Sequence, residues 1–257
     1  MTQEQALNWR DTLRASGLHL GISLCIAVAV AWLVFALWYP YPYGEISGGR
    51  ELFLILMTVD VILGPLITLA IFNRNKPRRE LVRDLGFVAL IQLVALFYGL
   101  WTVCVARPVH LVFEFDRFRV IHAVDVPEEM LSQAPYQVNA MPLKGPTLRA
   151  VRPFRDAGEE SSATLMALQG LSLSARPDLW ESYEQARHRV LAAAKPAADH
   201  RRRFPQQAVE IDAAISRTGR AETELRYLPL VAPKSFWTVL LDAQSAEIRG
   251  YLLLDSF

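Results

Sequence analysis

The residue whose type and setting most call for a chemical explanation is Asp60, an acid inside the apolar run Leu52 to Phe72. A carboxyl group near the middle of a membrane-spanning helix costs about 3 kcal/mol on insertion scales, so it should face other protein and find a partner there. It lies eight residues into its run, about 12 Å deep at 1.5 Å per residue. Gly64-Pro65 follows one turn later. Proline has no N–H for the carbonyl four residues back, Val61, so the helix should bend there and expose a polar backbone group. The segment TVDVILGPLIT therefore reads as an internal lock between helices, as a docking surface for a foreign helix, or as part of a proton or ion path. The remaining candidates are scattered. His110 and His122 could approach each other across a hairpin, with Glu114 or Asp125 completing a ligand set, although packed or exposed histidines are commoner. His188 has no second ligand one turn away. There is no G-x-S-x-G, H-E-x-x-H, P-loop, G-x-G-x-x-G or C-x-x-C, so no catalytic residue, cofactor or metal is expected. Cys25 and Cys104 read as small apolar packing residues.

The elements that must position Asp60 are three apolar runs, about 18–39, 52–72 and 85–105. Each is about 20 residues, enough to cross a hydrocarbon layer of about 30 Å. The first carries only His19 as an ionisable group besides cysteine and tyrosine, and the third carries Gln92 as its one strongly polar side chain. Gln92 enters its run by seven residues from the opposite end, so direct pairing with Asp60 requires tilted helices. A cleaved signal peptide is the rival reading of the first run, but apolar sequence continues beyond its small residues. Arg74, Lys76, Arg78, Arg79 and Arg83 crowd the segment between runs two and three, whereas the segment PYPYGEISGGRE between runs one and two holds only Arg50. The positive-inside rule then puts the N-terminus in the cytoplasm and everything after Val105 outside it. Trp38, Tyr39, Tyr41, Tyr43 and Trp101 fall where an outer interfacial belt belongs.

The whole chain has 257 residues, 52% hydrophobic and 21% charged, with a formal charge of +1. This excludes disorder, and it leaves no global basic field for nucleic acid. The even balance conceals a division: residues 1–106 carry 8 Lys/Arg and 7 Asp/Glu, and residues 107–257 carry 19 of each. In the second part VHLVFEFD alternates as a half-buried strand, followed by a turn at Asp116-Arg117 and a strand over 118–124. A short helix is expected at VPEEML, an extended piece near 147–151, helices over 158–173, 177–194 and 205–216, and strands over 224–229, 235–241 and 247–254. Arg201-Arg202-Arg203 reads as a solvated face or as a contact for an anionic partner. The predicted architecture is a three-helix transmembrane bundle followed by an α+β extracytoplasmic (periplasmic) domain whose sheet unites the first hairpin with the last strands.

Four stretches, WRDTLRASGLHLGISL, WYPYPYGEISGGRELFLILMTVDVILGPLITL, FNRNKPRRELVRDL and ARPVHLVFEFDRFRVI, resemble the TfpX/TfpZ family of type IV pilin accessory proteins over residues 8–125. The resemblance implies an inner-membrane protein that assists surface assembly of a cognate major pilin, without enzymatic activity and with no catalytic residues to transfer. Read onto this chain, the candidate partner-docking residues are Asp60, Gly64 and Pro65 with Tyr41, Tyr43 and Gly44 of the preceding loop. The expected partners are the pilin and the lipid bilayer, with no nucleic acid. A membrane-anchored periplasmic enzyme and a small sensor are the alternatives.

Overall fold

The computed structural model describes residues 9–72 and 76–257. Arg74, one of the orienting cations, lies outside the described residues. The chain divides into two compact units. One contains the residues up to Leu37 together with Gly49–Val105, and the other contains Trp38–Gly48 together with Ala106–Phe257. The loop between the first two apolar runs is therefore part of the second unit, which a single cut at residue 106 does not anticipate.

The first part of the chain forms α1 (Trp9–Trp38), α2 (Tyr43–Ile46), α3 (Gly49–Ile71) and α4 (Arg78–Val105). Helices α1, α3 and α4 are long and apolar enough to cross a membrane. They run beyond the apolar stretches because their charged flanking turns continue the same helix. Thus α1, with 30 residues, is about 45 Å long at 1.5 Å per residue. Their outward faces are apolar, with Leu18, Val28, Ile55 and Ile91 among the exposed side chains. Both α1 and α4 pack on α3 far more than on each other. The α1 contact is polar: the Ser16 hydroxyl donates to the Pro65 carbonyl at 2.8 Å, and His19 Nδ1 lies 2.6 Å from Thr68 Oγ1. The α4 contact depends on missing side chains, since a Cβ at Gly99 would overlap Leu56 and one at Gly64 would overlap the Gln92 amide. The bend expected before Pro65 takes the form of a π-helical turn over Val59–Leu63.

The second unit is built on a mixed eight-stranded sheet. Its strands are β1 (Pro108–Glu114), β2 (Arg117–His122), β3 (Thr147–Val151), β4 (Trp180–Ser182), β5 (Lys195–Pro196), β6 (Leu225–Val231), β7 (Phe236–Asp242) and β8 (Ile248–Leu252). The order is β4-β3-β1-β2-β6-β7-β8, with β5 paired to β6. The first hairpin does join the last strands, through a short parallel pairing of Phe118 with Leu230 and Arg119 with Val231. The connecting helices are α5 (Ala157–Leu168), α6 (Tyr183–Ala193), α7 (Ala197–Arg203) and α8 (Ala208–Arg217).

Strand β1 differs from its predicted half-buried character. It is interior to the sheet and buried on both faces, because protein covers each side. Leu111 and Phe113 join a core with Tyr183, Ala186 and Val190 of α6, and Val109 and Val112 join another with Ala163, Leu179 and Trp180. An irregularity in the pairing between Pro108 and His110 resets the alternation, which lets Val109 and Val112 share a core. The helix expected over 177–194 starts only at Tyr183, where the Ser182 side chain accepts from the Gln185 N–H. Trp180–Ser182 instead pairs with β3 as an edge strand. Leu179 reaches the core from a 3₁₀ turn, so its helical spacing from Tyr183 spans a change of structure. The triple arginine belongs to α7. There Arg201 meets Asp212 at 3.2 Å, Arg202 pairs with Asp199, and Arg203 donates to the carbonyls of Ser256 and Phe257.

Two histidines give this unit a defined acid response. His110 and His200 are fully buried, and burial pushes both down to about 4, with Arg203 adding to the effect at His200. The unfolded chain takes up these protons near pH 6.5 and the folded chain only near 4, so stability falls as pH drops through that window. The loss is about 3 kcal/mol for each histidine. Thermal melts of the detergent-solubilised full chain should show this fall between pH 6.5 and 4. His200→Phe, which preserves the stacking on Tyr227, should remove about half of it, the part that remains being that of His110. Unchanged melting across the window would contradict the assignment.

Candidate functional site

Asp60 sits in the π-helical turn of α3 and is 7% exposed. In a five-residue hydrogen-bond register, the N–H that should reach the Asp60 carbonyl belongs to residue 65, which is proline and has none. Gln92 of α4 supplies the missing donor: its Nε2 lies 3.3 Å from the Asp60 main-chain oxygen. Gly64 is what admits it, since any Cβ there would occupy the same space. The pair anticipated as depth-mismatched thus meets through the backbone, and the acid itself is left over. Neither Asp60 carboxyl oxygen has a hydrogen-bond partner among the described residues.

Asp60 lines a cavity of about 180 Å³ to which all three helices contribute, with its two carboxyl oxygens buried behind the wall. Its walls include His19, Ser23 and Ala27 of α1, Met57 of α3, and Ala89, Gln92 and Leu93 of α4. The surface is overwhelmingly apolar. Of the six candidate docking residues, Asp60, Gly64 and Pro65 therefore cluster, but Gly64 and Pro65 are buried between helices, and of these three only Asp60 lines the cavity. Of the polar residues of α1 that meet α3 or the cavity, only His19 stood out in the sequence, as the ionisable group of its run. Their signal is the spacing of Ser16, His19 and Ser23, which recur every three or four residues and so share one helical face.

The loop candidates lie in the second unit and divide by burial. Tyr43 is buried with Ile46 against the sheet, and its hydroxyl lies 3.0 Å from that of Tyr251 on β8. Burial raises the pKa of both phenols, which keeps both protonated. Gly44 is half-buried within α2. Tyr41 is 78% exposed and lines a recess of about 310 Å³ with Arg217, Arg249 and Tyr251. This loop presents Tyr41 to solvent and spends Tyr43 on internal structure.

The hairpin histidines each have partners of their own. His110 Nε2 lies 3.0 Å from the Ala140 carbonyl, an acceptor only, so this nitrogen carries the proton and Nδ1 accepts from the Thr147 hydroxyl at 2.7 Å. His122 Nδ1 is 3.2 Å from Asp125, whose carboxylate also accepts the His122 N–H. Among the described residues no group of three His, Cys, Asp or Glu could hold a metal ion. A second surface feature is a cleft of about 520 Å³ at the end of β2. It is bordered by Arg119, Ile121, Asp125, Leu171 and Val231, and it lies where β6 stops accompanying β2.

Comparison with known proteins adds what geometry cannot. The family described as fimbrial assembly protein FimB matches residues 7–48, covering α1 and the loop after it. Two fimbrial assembly proteins of Dichelobacter nodosus, of serogroups I and E1, are each 34% identical over 246 residues, covering 95% of this chain and 95% of the relative. A third from the same organism, of serogroups C1 and C2, is 39% identical over 121 residues, which is 47% of this chain and 92% of the relative. No solved structure matches the chain. Similarity at this level over nearly the whole of both chains means that the protein belongs to the family of fimbrial assembly proteins.

Proposed function

We propose that this protein is a multi-pass inner-membrane accessory protein of the TfpX/TfpZ type, which holds a cognate major type IV pilin in a chaperone-like way and assists its assembly or surface display. The observation that carries the reading is the combination of a family of fimbrial assembly proteins with an apolar three-helix unit that leaves a buried acid unpartnered. A subunit awaiting assembly has an apolar segment to shelter in the bilayer and a folded part outside it. The helical unit suits the first, and the mixed-sheet domain, with its cleft beside β2 and exposed Tyr41, suits the second. In this reading the N-terminus is cytoplasmic and residues 107–257 are periplasmic. The protein performs no catalytic step, and its partners are the pilin and the surrounding lipid. The orientation follows from the cation-rich segment between α3 and α4.

Two measurements test this. Deleting the gene, with total pilin and surface pili measured separately, should leave pilin in the cell and reduce surface pili. Normal surface pili would refute the accessory role. A reporter enzyme active only outside the cytoplasm should be active when fused after Phe257 and inactive when inserted between residues 74 and 83. The opposite pattern would refute the orientation.

A further inference from the structure

We infer that the groove between α1 and α4, floored by α3, seats one apolar membrane helix of the pilin partner, and that this helix supplies a hydrogen-bond donor to the free Asp60 carboxyl. The inference rests on the accessory reading above and specifies its site. The first argument is polar accounting. Gln92 is committed to the Asp60 main-chain carbonyl, His19 Nδ1 to Thr68, and Ser16 to the Pro65 carbonyl. These groups satisfy one another and leave both Asp60 carboxyl oxygens buried without a partner. In an apolar surrounding such a group costs several kcal/mol unless a donor reaches it. Neither the Ser23 hydroxyl nor the second Gln92 N–H reaches the carboxyl either, so a donor from a partner helix would satisfy it.

The second argument is shape. Since α1 and α4 both lean on α3 and hardly on each other, the three helices leave a trough where a fourth would complete a bundle. Ala27 on one rim and Ala89 on the other border the cavity, and small residues let an incoming backbone approach closely. The cavity of about 180 Å³ has room for a side chain and not for a helix. The geometry is therefore that of a knob entering a hole while its helix rests on the rims. The walls are mostly apolar and match an apolar helix, and the polar residues that also line them, His19, Ser23 and Gln92, stand with Asp60 to set the register of the incoming helix.

The test uses the full-length protein in cells that make pilin, with a photoreactive residue at Ala27 or Ala89 and, as controls, at the exposed positions Val28 and Val94. Pilin adducts should form from the groove positions and not from the controls. With the probe at Ala27, Asp60→Leu should weaken the adduct about three- to tenfold, the value of one hydrogen bond between membrane helices. Asp60→Asn, which keeps an oxygen acceptor, should retain more than the leucine variant. Ala89→Trp, which fills the recess and leaves Asp60 in place, should abolish the adduct. Membrane accumulation of each variant equal to that of the parent chain shows that it folds. Undiminished adducts with Asp60→Leu, equal adducts from the controls, or groove adducts only with a second copy of this chain would overturn the inference. Asp60-dependent groove adducts with a different single-span protein would overturn the pilin reading instead, which separates the two failures.

Discussion

The helical unit depends on one absent hydrogen atom. Pro65 cannot donate to the turn before it, and in an apolar surrounding a carbonyl without a donor is expensive. The chain answers with a π-helical turn over Val59–Leu63, a glycine at 64 and a side-chain amide borrowed from the next helix. These three features require one another. Without Gly64 the Gln92 amide could not approach, and without Gln92 the Asp60 carbonyl would have no donor. Because the borrowed amide comes from α4, the same bond that repairs α3 also fixes how α4 lies against it. On the other side of α3, the Pro65 carbonyl accepts from Ser16 of α1. The same turn of α3 thus makes polar contacts to both flanking helices.

The second unit solves a different problem, that of covering both faces of a wide sheet. Helix α6 and the loop residues Tyr43 and Ile46 cover part of one face, while Trp180, Leu179 and Ala163 cover β1 from the other. Helices α7 and α8 add a third core against β6, β7 and β8 through Ala197, Ile211 and Ile215. The Tyr43–Tyr251 hydroxyl pair joins the loop after α1 to the last strand, residues far apart in the chain. This contact explains why the segment between the first two apolar runs, read from the sequence as an interfacial loop with docking residues, belongs with the globular unit.

Periodic features were legible in the sequence and reciprocal ones were not. Apolar runs of about 20 residues, the hairpin at Asp116 and the last three strands each announce themselves within a short window, because burial of a continuous stripe leaves a local pattern. The π-turn was half legible: Pro65 requires a broken bond, but only the structure shows that Gln92 repairs it. The two-faced burial of β1 was hidden because His110 has the type of a solvent-facing residue, yet it is buried against Trp180 with both ring nitrogens hydrogen-bonded. The false helix start at Pro177 arose from Leu179, which contacts the core from a non-helical turn at a spacing that mimics a helix. Tyr43 is chemically an ordinary interfacial aromatic, and nothing near it in the sequence points to Tyr251.

Asp60 was the first residue to stand out, and its structural setting narrows what it does. An acid that locks a bundle together should be the acceptor in that lock, yet here the lock closes on the Asp60 carbonyl and the carboxyl takes no part in it. An acid on an ion path should belong to a succession of free polar groups, yet of the polar residues that line its cavity beside it, His19 and Gln92 are bonded to Thr68 and to the Asp60 carbonyl, and most of the wall is alanine, leucine, isoleucine and methionine. What separates the two functions of this one residue is that its backbone belongs to the internal architecture while its side chain does not. The backbone of this turn is held by Gln92 at the Asp60 carbonyl and by Ser16 at the Pro65 carbonyl, which fixes the depth of the residue. Under the proposed docking, an unfilled acceptor in a mostly apolar groove would distinguish among apolar helices by the group they place opposite it.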